Sequence, residues 1–323
     1  MNMQGKTILF ICSRFFNYYK LIMHALEERG FCVDYFSDVT TSNIKILLSE
    51  TNKNLFDKYQ LQFWERNLSK MKCNYDYIFI IKGNKIPIVI LDKMKDRYKD
   101  SPFIQYHWDD IDIKSNENIK STFKYFDRIL TYNILDADRY GFILRPFFYI
   151  YRENKLINKN IDILWVASYN TTRDEFLDKF LYMNDWSGRK LKMHYYINPL
   201  IYFQEKLSGR KMEMLSRYSF LKLDYYNMIK LLSKSKACID IPYAPQQGLT
   251  TRAFESMSLQ TKVITSNKNI MRYDFYCPEN NNVIDLNNPI IDKEWLDEPY
   301  KKLDEAILSK YCISSWINDI FNL

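Results

Sequence analysis

Apolar residues in this chain come in short unbroken runs, with amphipathic helical patterns between them. TILFICS at 7–13, YDYIFIIKG at 75–83, PFIQYHW at 102–108 and DRILTYN at 127–133 show no regular polar alternation. A strand with one wet face alternates, whereas a strand apolar on both faces needs a covering layer on each side. NYYKLIMHALEERG at 17–30 sets Tyr18, Leu21, Ile22, Ala25 and Leu26 on one helical stripe, with Gly30 placed to end it. FCVDYFSDV at 31–39 reads as a second strand, and a helix is expected around 88–98. Strand and helix alternating in this way specify an α/β fold whose parallel sheet is covered on both faces.

The pattern then restarts. RPFFYIYRENKLINKN at 145–160 is a polar stretch that reads as a linker, and IDILWVASYN at 161–170 is again a strand. A helix over TTRDEFLDKFLYM, a strand over KLKMHYYI, a helix from Tyr225 burying Met228, Ile229 and Leu232, and a strand at 237–243 follow. With 323 residues, 47% of them hydrophobic, the chain can build two cores of ordinary size and is not a disordered segment. The expectation is two Rossmann-like domains facing each other across a cleft, 1–150 and 151–300. A C-terminal helix within 301–323 is expected to pack back towards the first.

A net charge of +7 suits anionic ligands or an anionic membrane surface, and equally a solvated basic surface. No arginine-rich cluster or nucleic-acid motif stands out, so nucleic acid is not an expected partner. The six cysteines are scattered without a C-x-x-C pair and there are three histidines, which disfavours zinc. Cys12, Cys32 and Cys238 sit in strand-like runs, where a reduced thiol is a small core residue and a reducing compartment is implied. No signal peptide is visible and no apolar run approaches the ~18 residues a membrane span needs. A cytoplasmic protein is expected.

APQQGLTTRAFESMSLQTKVITSN at 244–267 lies between the strand at 237–243 and a further apolar run at 262–265. Gly248 stands where a strand hands over to a helix whose buried stripe includes Ala253 and Met257. The first amides of a helix lack internal partners and carry partial positive charge, an arrangement suited to phosphate. Thr250 and Thr251 can add hydroxyl donors, Arg252 a two-pronged grip on phosphate oxygens, and Glu255 an acceptor for a ribose diol. On local physics alone the alternative stands beside it: Thr251 as a helix cap and Arg252–Glu255 as an exposed ion pair worth ~0.3 kcal/mol.

KSKACIDIPYAPQQGLTTRAFESMSLQTKVITSN, followed by YDFYCPENNNVID, resembles the donor-domain signature of bacterial GT-B glycosyltransferases. It is most similar to a capsule and lipopolysaccharide (O-antigen or core) biosynthesis group. That group reads roughly SK-x-x-LD-I-x-x-x-x-Q-x-GLT-x-R-x-x-E, then K-x-I-T-x-N and YDFY. The likeness covers Ser233 to Asp285. It implies a nucleotide-sugar donor, a glycan or lipid-linked acceptor, and work on the cytoplasmic face of the inner membrane. Glu255 takes the position that binds the donor ribose in the family. Gln247 stands where many members have a first glutamate, a departure that favours inversion over retention. Gln247, Gly248, Thr250, Thr251 and Arg252 fall where the family contacts donor pyrophosphate and sugar. WVASYNTTRDEF resembles the first strand and turn of such a domain, bringing Ser168 or Arg173 to the phosphates; Arg173 as a solvated helix residue is the alternative.

Glycosyl transfer also needs a base for the acceptor hydroxyl. IQYHWDDIDI at 104–113 ends a strand in acidic residues at its carboxyl edge, where ligands bind in such sheets. Asp109 is the expected base, with Asp110 and His107 beside it on the acceptor side; otherwise Asp109 caps the next segment while Asp110 and Asp112 face water. Asp110-Ile111-Asp112 also spells Asp-x-Asp, a metal signature of the other large glycosyltransferase fold. The two-domain pattern and the Gln247–Glu255 turn oppose that reading, and no metal is expected. SRFFNYY at 13–19 should line the acceptor side, with Arg14 for an anionic acceptor and Phe15 and Phe16 for sugar stacking, lipid contact or core packing. Two other readings fit the scaffold, a sugar-nucleotide epimerase and a non-catalytic sugar-binding member of a polysaccharide assembly complex.

Overall fold

A computed structural model describes residues 3–14, 17–38, 53–113, 118–152, 158–209, 217–243 and 246–323. The chain divides into two compact units, Met1–Pro146 with Ile313–Leu323, and Phe147–Cys312.

In the first unit the elements run β1 (Thr7–Ile11), α1 (Tyr18–Glu28), β2 (Cys32–Phe36), α2 (Lys53–Lys70), β3 (Tyr77–Ile81), α3 (Ile88–Arg97) and β4 (Phe103–His107). A 3-10 segment (Ile119–Tyr125), β5 (Arg128–Thr131), α4 (Ile134–Tyr140) and β6 (Ile143–Leu144) follow. The strands pair in parallel in the order β2-β1-β3-β4-β5-β6. All five residues of β4 are buried, as are four of five in β1 and β3, so the unbroken apolar runs meet layers on both faces. One layer buries Trp64, Ile90, Leu91 and Met94 against the sheet. On Phe79 and Tyr106 sits Trp316 of the C-terminal helix (Ile313–Phe321), its ring 4.9 Å from that of Tyr106. The expected α1 stripe buries Tyr18, Ile22, Ala25 and Leu26. Gly30 closes the helix at φ 91°, where a Cβ would meet Gln4 at 2.8 Å. Cys12 is buried as expected, but Cys32 is exposed because β2 is the sheet edge.

The second unit contains β7 (Ile161–Ser168), α5 (Thr171–Met183), β8 (Leu191–Tyr196), α6 (Pro199–Leu207), α7 (Tyr225–Ser233) and β9 (Ser235–Asp240). Next come α8 (Thr251–Ser258), β10 (Lys262–Thr265), β11 (Asn281–Val283), α9 (Lys293–Asp297) and α10 (Glu305–Lys310). Its sheet is parallel in the order β11-β10-β9-β7-β8 around a core of Trp165, Phe176, Phe180 and Tyr195. β9 stops at Asp240 rather than running to Tyr243, since Pro242 lacks the N–H a ladder needs. In each sheet the first strand lies between the second and third, so the connections leave in opposite directions. At such a switch point a crevice opens outside the carboxyl ends. It falls between β1 and β3 in one unit and between β7 and β9 in the other.

Candidate functional site

At the β7/β9 switch point, Arg173 spans the two strand ends. Asn170 caps α5 by accepting from Arg173 N at 2.8 Å. The Arg173 side chain donates from Nε to Ile241 O at 2.8 Å and from Nη1 to Ser168 O at 3.0 Å. Its contacts are therefore those of a brace rather than of a solvated helix residue. Burial depresses the Arg173 pKa, and the neighbouring Asp240 opposes that shift. Ser168 contributes the carbonyl, and the residue is exposed at the end of β7.

Asp240, the last residue of β9, links this brace to α8. Its Oδ2 accepts from Thr250 Oγ1 at 2.8 Å. The same Thr250 oxygen accepts from Arg252 N at 3.1 Å, so Thr250, not Thr251, is the N-cap. Burial raises the Asp240 pKa, opposed by the Thr250 hydrogen bond and by the Arg252 and Arg173 charges. Thr251 opens the helix behind that cap.

Glu255 forms the intrahelical pair with Arg252 that one reading of the sequence offered, but buried rather than exposed. It is 1% exposed, and its Oε2 lies 3.3 Å from Arg252 Nη1, with the Met228 thioether also against that guanidinium. The pair is not a solvated surface bridge worth a few tenths of a kcal/mol, and Glu255 presents no open carboxylate to a diol. Gly248 is buried and Gln247 exposed, and their backbone carbonyls are pinned from β10's carboxyl end. Asn267 Nδ2 donates to Gln247 O at 3.0 Å and to Gly248 O at 3.1 Å, while Asn269 Nδ2 donates to Gln247 O at 3.0 Å. Asp240 and Asn267, which the sequence reading does not single out, hold this turn, and both stand inside the quoted motif, at the D of LD-I and the N of K-x-I-T-x-N.

The carboxyl edge of the first unit carries different chemistry. Asp109 pairs with Lys82 Nζ at 2.5 Å. Lys82 is a non-glycine residue at φ 65°, followed by Gly83 at φ 87°, just beyond β3. A left-handed lysine costs about 1–2 kcal/mol relative to right-handed backbone, and only the observed geometry reveals it. Gln105 Nε2 donates to Lys82 O at 2.6 Å and holds the turn.

Two acceptor-side expectations fail here. His107 is 1% exposed, stacked on Phe142 at 5.9 Å, and burial with the nearby Lys82 charge pushes its pKa down to about 3. It is a neutral core imidazole. Asp110 is 5% exposed and accepts from Tyr132 OH at 2.5 Å and Asn133 Nδ2 at 2.9 Å, so it fastens strand ends instead of facing ligand or water. Asp112 turns outward to Lys120 at 2.7 Å, Tyr140 and Arg139, so the Asp-x-Asp carboxylates serve separate networks. Arg14 is exposed and hydrogen-bonds Tyr35, whose hydroxyl donates to Cys12 O at 2.9 Å. Phe15 and Phe16 lie outside the described residues.

No protein-family model and no curated protein sequence matches the chain. Solved structures do resemble it in fold. An α,α-trehalose-phosphate synthase (UDP-forming) from Burkholderia xenovorans, in complex with glucose-6-phosphate, superposes with TM-score 0.63. It shares 10% identity over 98% of this chain and 99% of that one. S. aureus MnaA with UDP gives TM-score 0.55 at 12% identity over 99% and 98%. A Listeria monocytogenes protein assigned as a UDP-N-acetylglucosamine 2-epimerase gives 0.55 at 11% over 98% and 95%. Such identities speak to the fold alone. The two parallel-sheet, Rossmann-like domains are those the strand runs led one to expect, and the likeness in fold to these structures makes the architecture GT-B, as the donor-domain resemblance implied.

Proposed function

We propose that the chain is a glycosyltransferase moving a sugar from a nucleotide-sugar donor to a bacterial cell-surface glycan or lipid-linked acceptor. The observation that carries this reading is the cluster at the β7/β9 switch point. Arg173 and Arg252, with the carboxylates of Asp240 and Glu255, flank the first turn of α8. Helix amides and a guanidinium already held in place meet a diphosphate with little ordering cost. Glu255 acts by keeping Arg252 in register, and Asp240 by fixing the cap; Gln247, Gly248, Thr250 and Thr251 form the turn around the phosphates and sugar.

In the reaction the acceptor oxygen attacks the anomeric carbon, the bond to the nucleoside diphosphate breaks, and the hydroxyl proton passes to Asp109. Lys82 holds that carboxylate in place, and Arg14 attracts an anionic acceptor. Charge on the departing diphosphate is met by Arg252 and the α8 amides, a role that needs no metal. A single displacement of this kind inverts the anomeric centre.

Incubation with a panel of nucleotide sugars, with and without bacterial glycan or lipid extract, tests the proposal. Nucleoside diphosphate released only when extract is present, with label entering the extract, is the expected result. An epimerised sugar nucleotide formed from donor alone makes the chain an epimerase. Binding without turnover makes it a sugar-nucleotide-binding protein.

A further inference from the structure

The second unit has an apolar surface that its core does not use. α6 starts on a proline behind Asn198, whose Oδ1 accepts from Leu200 N at 2.9 Å, so the helix is well capped. Its inward side is Tyr202, 5% exposed, packed on Tyr218 and Phe220. On the opposite side Leu200, Phe203 and Leu207 are 72%, 59% and 87% exposed. They are three and four residues apart and therefore form one stripe. The segment after Ser219, which bridges Tyr196 beside β8, extends this surface. Phe220 touches Tyr202, and Leu221 is 79% exposed. Exposed Lys206 and Lys222 flank it, with the Lys222 ammonium 5.3 Å from the Tyr196 ring centroid.

We infer that this face docks on an anionic lipid bilayer. Leu200, Phe203, Leu207 and Leu221 enter the boundary between headgroups and acyl chains, and Lys206 and Lys222 meet lipid phosphates. Large apolar side chains left in water beside lysines, on a chain of net charge +7, match what an interfacial helix presents to such a surface. A second copy of the chain is a poorer occupant, because an isologous contact through the stripe brings two lysine-flanked faces together. The inference rests on the lipid-linked acceptor reading for its purpose and not for its geometry.

The test is co-sedimentation of the full chain with vesicles of equal parts phosphatidylglycerol and phosphatidylcholine, and with phosphatidylcholine alone. The wild type is expected to pellet with the anionic vesicles and to stay in solution with the neutral ones. Leu200→Gln/Phe203→Gln/Leu207→Gln changes only exposed positions, so it should keep the wild-type melting temperature while losing about tenfold or more in vesicle affinity. Lys206→Gln/Lys222→Gln should weaken anionic binding by roughly fivefold per lysine. Equal pelleting of the triple variant overturns the inference. So does a wild-type dimer that the triple variant splits while neither protein binds vesicles. No sugar nucleotide is present in the assay. A chain that binds vesicles but transfers no sugar therefore contradicts only the enzymatic reading.

Discussion

The two sheets share a strand order but arm their carboxyl edges in opposite ways. Between β7 and β9 two arginines are matched by two carboxylates, Glu255 buried and Asp240 part-buried, and a helix begins with its cap tied to Asp240. Beyond β3 and β4 the edge carries a left-handed lysine, an accessible Asp109 and buried acids that fasten loops. Topology supplies a switch point in both places, and the side chains there differ in kind; the proposed function assigns phosphate to one and proton transfer to the other.

Removing Arg252 should break the first arrangement most severely. Arg252→Ala takes the guanidinium away from a carboxylate that is 1% exposed, and should cost about 3 kcal/mol in urea denaturation. Pairing it with Glu255→Gln should recover most of that stability without restoring nucleotide binding, a double-mutant cycle that separates folding from ligand contact. Full recovery of both would leave the pair as packing alone.

The acid-rich edge makes a contrasting prediction about pH. Burial raises the Asp136 pKa from 3.8 to about 6, even though its Oδ2 accepts from Ile111 N at 2.9 Å. The folded state then binds this proton more tightly than the unfolded one, so the contribution of Asp136 is present below pH 3.8 and is lost as pH rises through about 6. Asp136→Asn should therefore stabilise by about 1–2 kcal/mol at neutral pH, a gain that melting curves show vanishing under acid conditions. A pH-independent difference would contradict the burial argument.

A smaller effect is expected at the helix cap. Thr250→Ala should cost about 1 kcal/mol and Thr250→Ser much less, measured by the denaturation midpoint. Lys82→Asn should change stability least, within about 0.5 kcal/mol, because asparagine tolerates the left-handed backbone and offsets the lost ion pair. The same variant should slow sugar transfer by about tenfold or more. Unchanged transfer would remove Lys82 from the site and leave the two edges less different than described.

How much of this was legible in the sequence follows from range. Unbroken apolar runs and helical stripes are local signals, and they located the long central strands, Gly30 as a helix terminator and the α8 turn, but not the short edge strands β6 and β11. Which side a loop acid turns to is set by distant partners. Asp110 is claimed by Tyr132 and Asn133, so it is buried where the pattern suggested the acceptor side or, otherwise, water. His107 ends a strand covered on both faces, and nothing in its neighbours' identities signals a Phe142 ring above it. Cys32 is exposed because strand order puts β2 at the edge, which no periodicity reports. The Asp240–Thr250 contact joins a strand end to a helix start ten residues on, and only a turn of known shape closes it.

The most direct measurement is thermal stability of the wild type and of Arg252→Lys across a panel of nucleoside diphosphates and monophosphates. If α8 and Arg252 cradle a diphosphate, one nucleoside diphosphate at 100 times its dissociation constant should stabilise the wild type by about 2.7 kcal/mol. Its monophosphate should do much less, and the lysine variant, keeping the charge but losing the fork, should lose most of the gain. No response to any diphosphate, or an equal response in both proteins, would contradict the account.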